Sequence, residues 1–163
     1  MCQGFKYAGL ASGLKKNGQK DLGLIYSETP ADVAGVFTRN EVKAAPVILD
    51  MQRIVSGTCQ AVIANSGNAN CCTGEKGMQD AILMAQWAAK ELDLPEEQVL
   101  VASTGVIGEP LSVEKIQKAL PDVLILSWPA EELACASPAT LTELRNFSEK
   151  LKRLNGTPSA GRR

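Results

Sequence analysis

The fold of this chain is decided by residues 60–105, which read QAVIANSGNANCCTGEKGMQDAILMAQWAAKELDLPEEQVLVASTG. Two short apolar runs in this stretch, Gln60–Ala64 and Val99–Ala102, predict buried strands. Between them, from Glu75 to Leu92, apolar residues recur at helical spacing and predict a helix with one apolar face. Because strands interleaved with helices favour helices packed on a sheet, we expect an α/β layered sandwich with a mixed sheet.

Further elements of the same kinds flank this stretch. Asp21–Tyr26 predicts a buried strand after a turn at Lys15–Gly18, and Val33–Thr38 is a second apolar run. A proline in Ala44–Leu49 suits the first turn of a helix. Downstream, Ser112 is a candidate N-cap for another helix. The apolar face of that helix would comprise Val113, Ile116 and Leu120.

The last third of the chain differs in composition. Residues 141–163 hold six Lys or Arg against two Asp or Glu, so this end carries a net charge of +4 and the rest of the chain −5. We therefore predict two parts, an α/β domain over residues 1–120 and a partly helical, basic tail over residues 121–163. The basic run is either a solvated helix face or a docking or RNA-contacting tail.

The composition excludes several classes of protein. The chain has 163 residues, with 17 Lys or Arg and 18 Asp or Glu, so its charge does not favour nucleic acid or an anionic membrane as partner. It lacks the long apolar run of a membrane span and the pattern of a signal peptide. These features, with cysteines interpreted as reduced thiols, indicate a cytoplasmic protein.

The cysteines do not form a recognisable framework. They are Cys2, Cys59, Cys71, Cys72 and Cys135. An odd, scattered set without CxxC spacing predicts neither disulfides nor a zinc site, and we expect no metal and no other cofactor. On an ordinary backbone the adjacent pair Cys71 and Cys72 would point in different directions and make a poor chelate. We interpret Cys72 as a buried structural thiol rather than a nucleophile.

The chain contains no histidine, which limits the catalysis it can perform. Ser-His-Asp and Cys-His arrangements are impossible within it. A catalytic base would have to be a terminal amine, a lysine, a carboxylate or a group from another chain. Lys15, Lys16 and Lys43 are either ligands for an anionic substrate or plain surface lysines.

Two segments carry candidate site residues. Asn65–Asn70 follows a predicted strand and is either a ligand-binding loop or a plain structural turn. In Ser103–Pro110, the backbone N–H groups and the Thr104 hydroxyl could stabilise an oxyanion in acyl transfer. The same segment could instead cradle a phosphate, or be a tight turn with a capping Ser or Thr.

Short motifs occur in one order along the chain. They are Gly13–Gly18, Asp21–Leu22, Ala34–Thr38, Val42–Val47, Asn65–Asn70, Cys72–Gly74 and, above all, Ser103–Gly108. Together they resemble the ornithine acetyltransferase family, the bifunctional glutamate N-acetyltransferases of arginine biosynthesis. The resemblance covers about residues 3–120.

This resemblance implies an activity and its parts. Family members are precursors that cut themselves before a threonine into an α and a β chain, and the new N-terminal Thr is the nucleophile. It accepts acetyl from N-acetylornithine and passes it to glutamate, and some members also use acetyl-CoA. By motif match, Thr104 and Gly105 would form the oxyanion hole.

After about Leu120 the resemblance stops. The family's Thr-Thr-Asp-Thr segment and its Pro-Asn-Met-Ala-Thr cleavage segment have no match here. We therefore expect a truncated chain whose sheet is incomplete relative to the family and which needs a β chain for activity. Exposed apolar surface should make it self-associate. The alternatives are a non-catalytic module that binds a β-like partner or a small amino acid, and, more weakly, an amide hydrolase.

Overall fold

The structure is a computed structural model that describes residues 4–125. Its strands are β1 (Phe5–Leu10), β2 (Leu22–Asp32), β3 (Thr58–Asn68) and β4 (Val99–Val106). Its α-helices are α1 (Ala45–Arg53), α2 (Gly74–Leu92) and α3 (Val113–Ile125). The predicted tail lies almost wholly outside the described residues, so the domain boundary at residue 120 stays a prediction.

The described strands form one mixed sheet in the order β1-β2-β3-β4. The pairs β1–β2 and β2–β3 are antiparallel, whereas β3 and β4 are parallel. Parallel neighbours require a crossover connection, and α2 provides it here. The prediction of an α/β fold with a mixed sheet and packed helices is confirmed.

The core lies between the sheet and the helices. Alternate residues of β3, Ala61 and Ile63, are buried together with residues of α2 and α3. Fully buried helical residues include Ala81, Met84, Ala85, Ala88, Ile116 and Leu120. The predicted apolar face of α3 is confirmed, because its three residues are all buried. The small alanines of α2 allow close packing against its neighbours.

Expectations for three segments around the strands are wrong in detail. Asn65–Asn68 and Ser103–Val106, which we expected to be loops, continue β3 and β4. Pairing between the two strands satisfies their backbone groups, and this overrides the turn preference of Asn, Ser and Gly. The apolar run Val33–Thr38 forms an irregular segment after β2 rather than a further strand.

Helix α1 is fastened to the beginning of β4. Its first turn contains a proline, as predicted. The Val101 N–H donates to Asp50 Oδ1 at 3.0 Å, and Arg53 Nη1 donates to the Val99 carbonyl at 2.6 Å. Arg53 also pairs with Glu96. Burial raises the pKa of Asp50 to about 7, although the Val101 hydrogen bond and Arg53 oppose the shift.

Candidate functional site

The two candidate segments lie side by side at the carboxyl ends of β3 and β4. The strand register places Ser66 opposite Thr104 and Gly67 opposite Gly105. Ends of parallel strands share one edge of the sheet, which is where α/β proteins commonly bind ligands. The structure therefore joins, in one place, residues that are 38 positions apart in the sequence.

The backbones of the two strands approach so closely that only glycine fits at position 105. Gly105 has φ +136°, and an added Cβ would lie 2.3 Å from the Gly67 carbonyl carbon and 2.5 Å from the Asn68 nitrogen. Gly67 has φ +102°, and a Cβ added there would lie 3.2 Å from Lys15 Cγ. Thr104 is half-buried and Gly105 is exposed, so the pair is accessible from solution.

Buried asparagines hold this strand end in place. Ser103 Oγ donates to Asn65 Oδ1 at 2.6 Å, and Asn65 Nδ2 donates to the Asn68 carbonyl at 2.9 Å. Asn68 Nδ2 donates to the Glu109 and Pro110 carbonyls at 3.0 and 3.2 Å. The network therefore ties β3 to the segment that follows β4 and fixes the geometry around Thr104.

Asn70 extends the same network to α2. It is fully buried with φ +45°, and its N–H donates to Asn68 Oδ1 at 2.8 Å. Its Nδ2 donates to the Gly77 carbonyl at 2.7 Å, and its Oδ1 accepts from Thr73 Oγ1 at 3.1 Å. The side-chain amides of Asn65, Asn68 and Asn70 therefore bond to other groups of the protein. This is what we expect if the segment has a structural role rather than a ligand-binding one.

Sequence reasoning missed the role of Asp21. This buried carboxylate accepts hydrogen bonds from Ser12 N (2.6 Å), Ser12 Oγ (2.7 Å) and Lys15 N (2.8 Å). The Asp21 carbonyl accepts from Ser66 N–H at 2.8 Å. Asp21 therefore positions the lysine-containing turn against β3. The signals in the sequence were the Asp21–Leu22 motif and an acidic residue at the start of an otherwise apolar strand.

A cleft of about 330 Å³ opens beside this network. It is lined by Glu41, Val42, Lys43, Ala45, Ile48, Asn70, Cys72, Thr73, Gly74 and Met78. Thr104 and Gly105 are not among the lining residues. Of the candidate lysines, Lys43 lines the cleft, Lys15 lies against Gly67 and Lys16 is exposed. The three candidate lysines therefore do not converge on one binding site.

Two predictions about the cysteines are wrong. Cys72 is exposed rather than buried. Its φ of +60° departs from an ordinary backbone and brings its Sγ to 3.7 Å from that of Cys71. Burial raises the pKa of the Cys71 thiol, and its contact with Cys72 adds to this.

Within residues 4–125, no cluster of three or more His, Cys, Asp or Glu is placed to hold a metal ion. No described helix is both long and apolar enough to cross a bilayer. What the site offers is an accessible strand end, fixed by hydrogen bonds, that carries the Thr104 hydroxyl, and a hydroxyl donor held in this way suits stabilisation of a developing negative charge.

Comparisons with known proteins agree on one family. The model of the ArgJ family matches residues 6–152, which runs beyond residue 120. The arginine biosynthesis bifunctional protein ArgJ of Geobacter sulfurreducens is 51% identical over 142 residues, covering 86% of this chain and 36% of the relative. That of Thermotoga neapolitana is 47% identical over 152 residues, covering 91% and 38%. The chain thus spans about a third of the length of these relatives.

Solved structures that resemble this chain belong to the same family. The ornithine acetyltransferase of Mycobacterium tuberculosis, solved with ornithine, superimposes with a TM-score of 0.73 at 42% identity, covering 76% of this chain and 67% of that one. The ArgJ structure from Bacillus halodurans gives a TM-score of 0.70 at 44% identity, covering 73% and 62%.

Proposed function

Because this chain belongs to the ArgJ family, we propose that it supplies the oxyanion-stabilising part of an acetyltransferase active site. The proposed reaction moves acetyl from N-acetylornithine, or from acetyl-CoA, to glutamate. One relative was solved with ornithine, which supports a substrate of this class. Thr104 and Gly105 are the residues to which we assign the oxyanion hole.

The pairing of β3 with β4 is the observation that carries this proposal. Gly105 lies directly opposite Gly67, and neither position accepts a side chain without strain. The hydrogen bond from Ser103 to Asn65 anchors the residue just before Thr104. Donors held this rigidly do not reorganise when charge develops, which is the property that an oxyanion hole requires.

The proposed chemistry needs a donor pair here and a nucleophile from elsewhere. A threonine hydroxyl attacks the acetyl carbonyl, whose oxygen becomes negative and is stabilised by Thr104 and Gly105. The amine of ornithine then leaves, and the amine of glutamate later attacks the acetyl ester. An N-terminal amine acting as base suits a chain without histidine. One such donor lowers the barrier by about 3–4 kcal/mol.

We assign the source of that nucleophile to a β chain of the same family. Val106 and Ile107 follow Gly105 directly and are 50% and 63% exposed. Adjacent exposed apolar side chains are typical of protein interaction surfaces. A β chain that covers them would bring its N-terminal threonine towards Thr104.

The cytoplasmic location of this chain stays a prediction.

The test is acetyl transfer from N-acetylornithine to glutamate, measured with this chain alone and after coexpression with a family β chain. We expect transfer only with the β chain. Thr104→Ala should then lower kcat roughly 100-fold or more, as loss of one oxyanion donor does. Thr104→Ser keeps the hydroxyl and should retain most activity, and Ser112→Ala controls for loss of a remote hydroxyl.

Two outcomes would contradict the proposal. Transfer by the chain alone would mean that the nucleophile lies within these residues. Full activity of the Thr104→Ala complex would remove Thr104 from the oxyanion hole. Circular dichroism of the Thr104→Ala variant separates the expected loss of activity from a failure to fold.

A second candidate function is a non-catalytic module that binds a small amino acid. The cleft beside α2 favours it, because Lys43 lines that cleft whereas Thr104 does not. The Lys43 ammonium would pair with a carboxylate of the ligand. Calorimetric titration of the chain with glutamate should then show binding that Lys43→Met weakens and Lys16→Met leaves unchanged. Absence of binding would reject this candidate.

A further inference from the structure

We propose that Cys71 and Cys72 form a dithiol site that chelates a trivalent arsenical at the rim of the cleft. Their Sγ atoms lie 3.7 Å apart, and Cys72 also lines the cleft. Cys72 is exposed and Cys71 is half-buried, so a small reagent can reach the pair. This site is independent of the proposed acetyl transfer.

The backbone creates the pair. Adjacent side chains of an extended segment point to opposite sides, which would separate the thiols. Here the left-handed conformations of Asn70 (φ +45°) and Cys72 (φ +60°) turn the chain on both sides of Cys71. The Asn70 side chain is held by the Gly77 carbonyl, and the Cys71 carbonyl accepts from Gly108 N–H at 2.9 Å. The site is therefore pre-organised, which lowers the entropic cost of binding.

The geometry favours an inserted atom over a direct disulfide. Neighbouring Cα atoms are about 3.8 Å apart, below the range of about 4.4–6.8 Å that disulfides adopt. An S–S bond between Cys71 and Cys72 would therefore be strained. An atom that bridges the sulfurs avoids this strain, because each sulfur then bonds to the bridging atom rather than to its neighbour.

The ligand set favours an arsenical over a metal ion. Metal sites of the zinc type need three or four protein ligands, and the described residues offer no cluster of that size. An organic As(III) oxide already carries one As–C bond and needs only two sulfurs. Thiolates are soft ligands and select soft partners.

The reaction balances without an oxidant. With phenylarsine oxide, each thiol gives its proton to the oxo oxygen, two As–S bonds form, the As–O bond breaks, and the oxygen leaves as water. Arsenic stays trivalent and no electron is transferred. Protonated thiols are the reactants, and burial and the contact with Cys72 raise the pKa of the Cys71 thiol, which favours this form.

The test uses the full chain with Cys2, Cys59 and Cys135 replaced by serine, so that only the pair remains. Intact-mass spectrometry after titration with phenylarsine oxide should show a single adduct. It should survive excess 2-mercaptoethanol and be released by 2,3-dimercaptopropanol. Cys71→Ser or Cys72→Ser should each weaken binding of the arsenical roughly 100-fold. Each variant leaves one thiol, so the gain from holding a second thiol close to the bound arsenic is lost.

The matched control keeps Cys59 and replaces both residues of the pair. Any adduct that this control variant forms through Cys59 should be removed by 2-mercaptoethanol. Cys72→Gly provides a second variant, because glycine adopts positive φ without strain and preserves the turn. A monothiol-resistant adduct on either single variant, or no adduct on the intact pair, would overturn the proposal.

Discussion

Gly105 is the residue at which the candidate site tolerates the least change. Its φ of +136° disfavours any L side chain, and the atoms that a Cβ would meet belong to the backbone of β3. Backbone atoms of a paired strand cannot rotate away as a flexible side chain can. A side chain at this position would therefore push the ends of β3 and β4 apart.

We expect Gly105→Ala to lower the free energy of unfolding by roughly 3 kcal/mol, from backbone strain and overpacking together. Chemical denaturation followed by circular dichroism measures this change. Gly108→Ala is the matched control, because Gly108 has φ +81° but nothing within 4 Å of the added Cβ. Its cost should be limited to about 1 kcal/mol of strain. Equal losses in the two variants would contradict close packing at Gly105.

The sequence predicts the roles of some residues of the candidate site but not of others. Thr104 and Gly105 stand out by their motif and by their place after a predicted strand, although their role in catalysis stays a prediction. Asn70 and Asp21 also lie in the quoted motifs, but the sequence does not reveal their hydrogen-bond partners, because the fold chooses them. The Asn70 amide, for example, bonds to the carbonyl of Gly77, which lies in a different element.

Among the elements, α1 depends on two charged side chains that join it to β4. The Asp50 carboxyl is partly buried and accepts from the Val101 N–H group, and Arg53 reaches the Val99 carbonyl. The cost of burying the carboxylate explains its raised pKa, since neither Arg53 nor the hydrogen bond fully offsets the loss of water. This attachment therefore makes the stability of the fold sensitive to pH.

The pKa of Asp50, about 7 in the folded chain, exceeds the value of about 3.9 in an unfolded chain. Between these values the folded state binds more protons, so stability falls as pH rises from about 4 to 7 and then levels off. The full effect is at most roughly 4 kcal/mol. Asp50→Asn should remove this part of the pH dependence and stabilise the chain at pH 8. Denaturation between pH 4 and 8 measures it.

The control for that experiment is Asp122→Asn, which removes a charge from an exposed position of α3. If Asp50→Asn and Asp122→Asn change the pH profile equally, burial of Asp50 is not the cause. If Asp50→Asn instead destabilises the chain at every pH, the attraction of the carboxylate for Val101 N–H and Arg53 outweighs the cost of its desolvation.

At the scale of the whole fold, the described part of the sheet ends at β4, whose outer side pairs with no other described strand. Among the described residues, β4 pairs with β3 alone, and its far end carries the exposed side chains of Val106 and Ile107. Unpaired edges and adjacent apolar side chains promote association between chains. The same features that favour a β-chain partner therefore favour self-association in its absence.

We expect the isolated chain to form oligomers at micromolar concentration and Ile107→Glu to shift it towards monomer, because the charge disfavours an apolar contact. Sedimentation velocity measures the distribution. Val55→Glu places the same charge on a residue that is 83% exposed and lies on the short helical turn Ile54–Ser56. A monomeric wild-type chain, or an equal effect of both variants, would contradict association through the end of β4.

The sequence by itself determined most of the elements and their order, because periodicity and turn residues act locally. The exceptions are β1, which no sequence pattern predicted, and the irregular segment Val33–Thr38. The helices α1, α2 and α3 and the interior segments of β2, β3 and β4 follow from residues close together in the chain. The absence of histidine and the motif around Thr104 likewise restrict the chemistry, because both are properties of the amino-acid sequence and do not depend on how the chain folds.

Only the tertiary structure decided where β3 and β4 end, how they pair, and which polar groups meet. Asn65–Asn68 has the composition of a turn, yet it pairs with Ser103–Val106, because a neighbouring strand satisfies more backbone groups than a turn can. The left-handed backbone that brings the thiols of Cys71 and Cys72 together is likewise decided by the tertiary structure. Contacts with distant residues hold it in place, and no pattern within the segment itself reveals them.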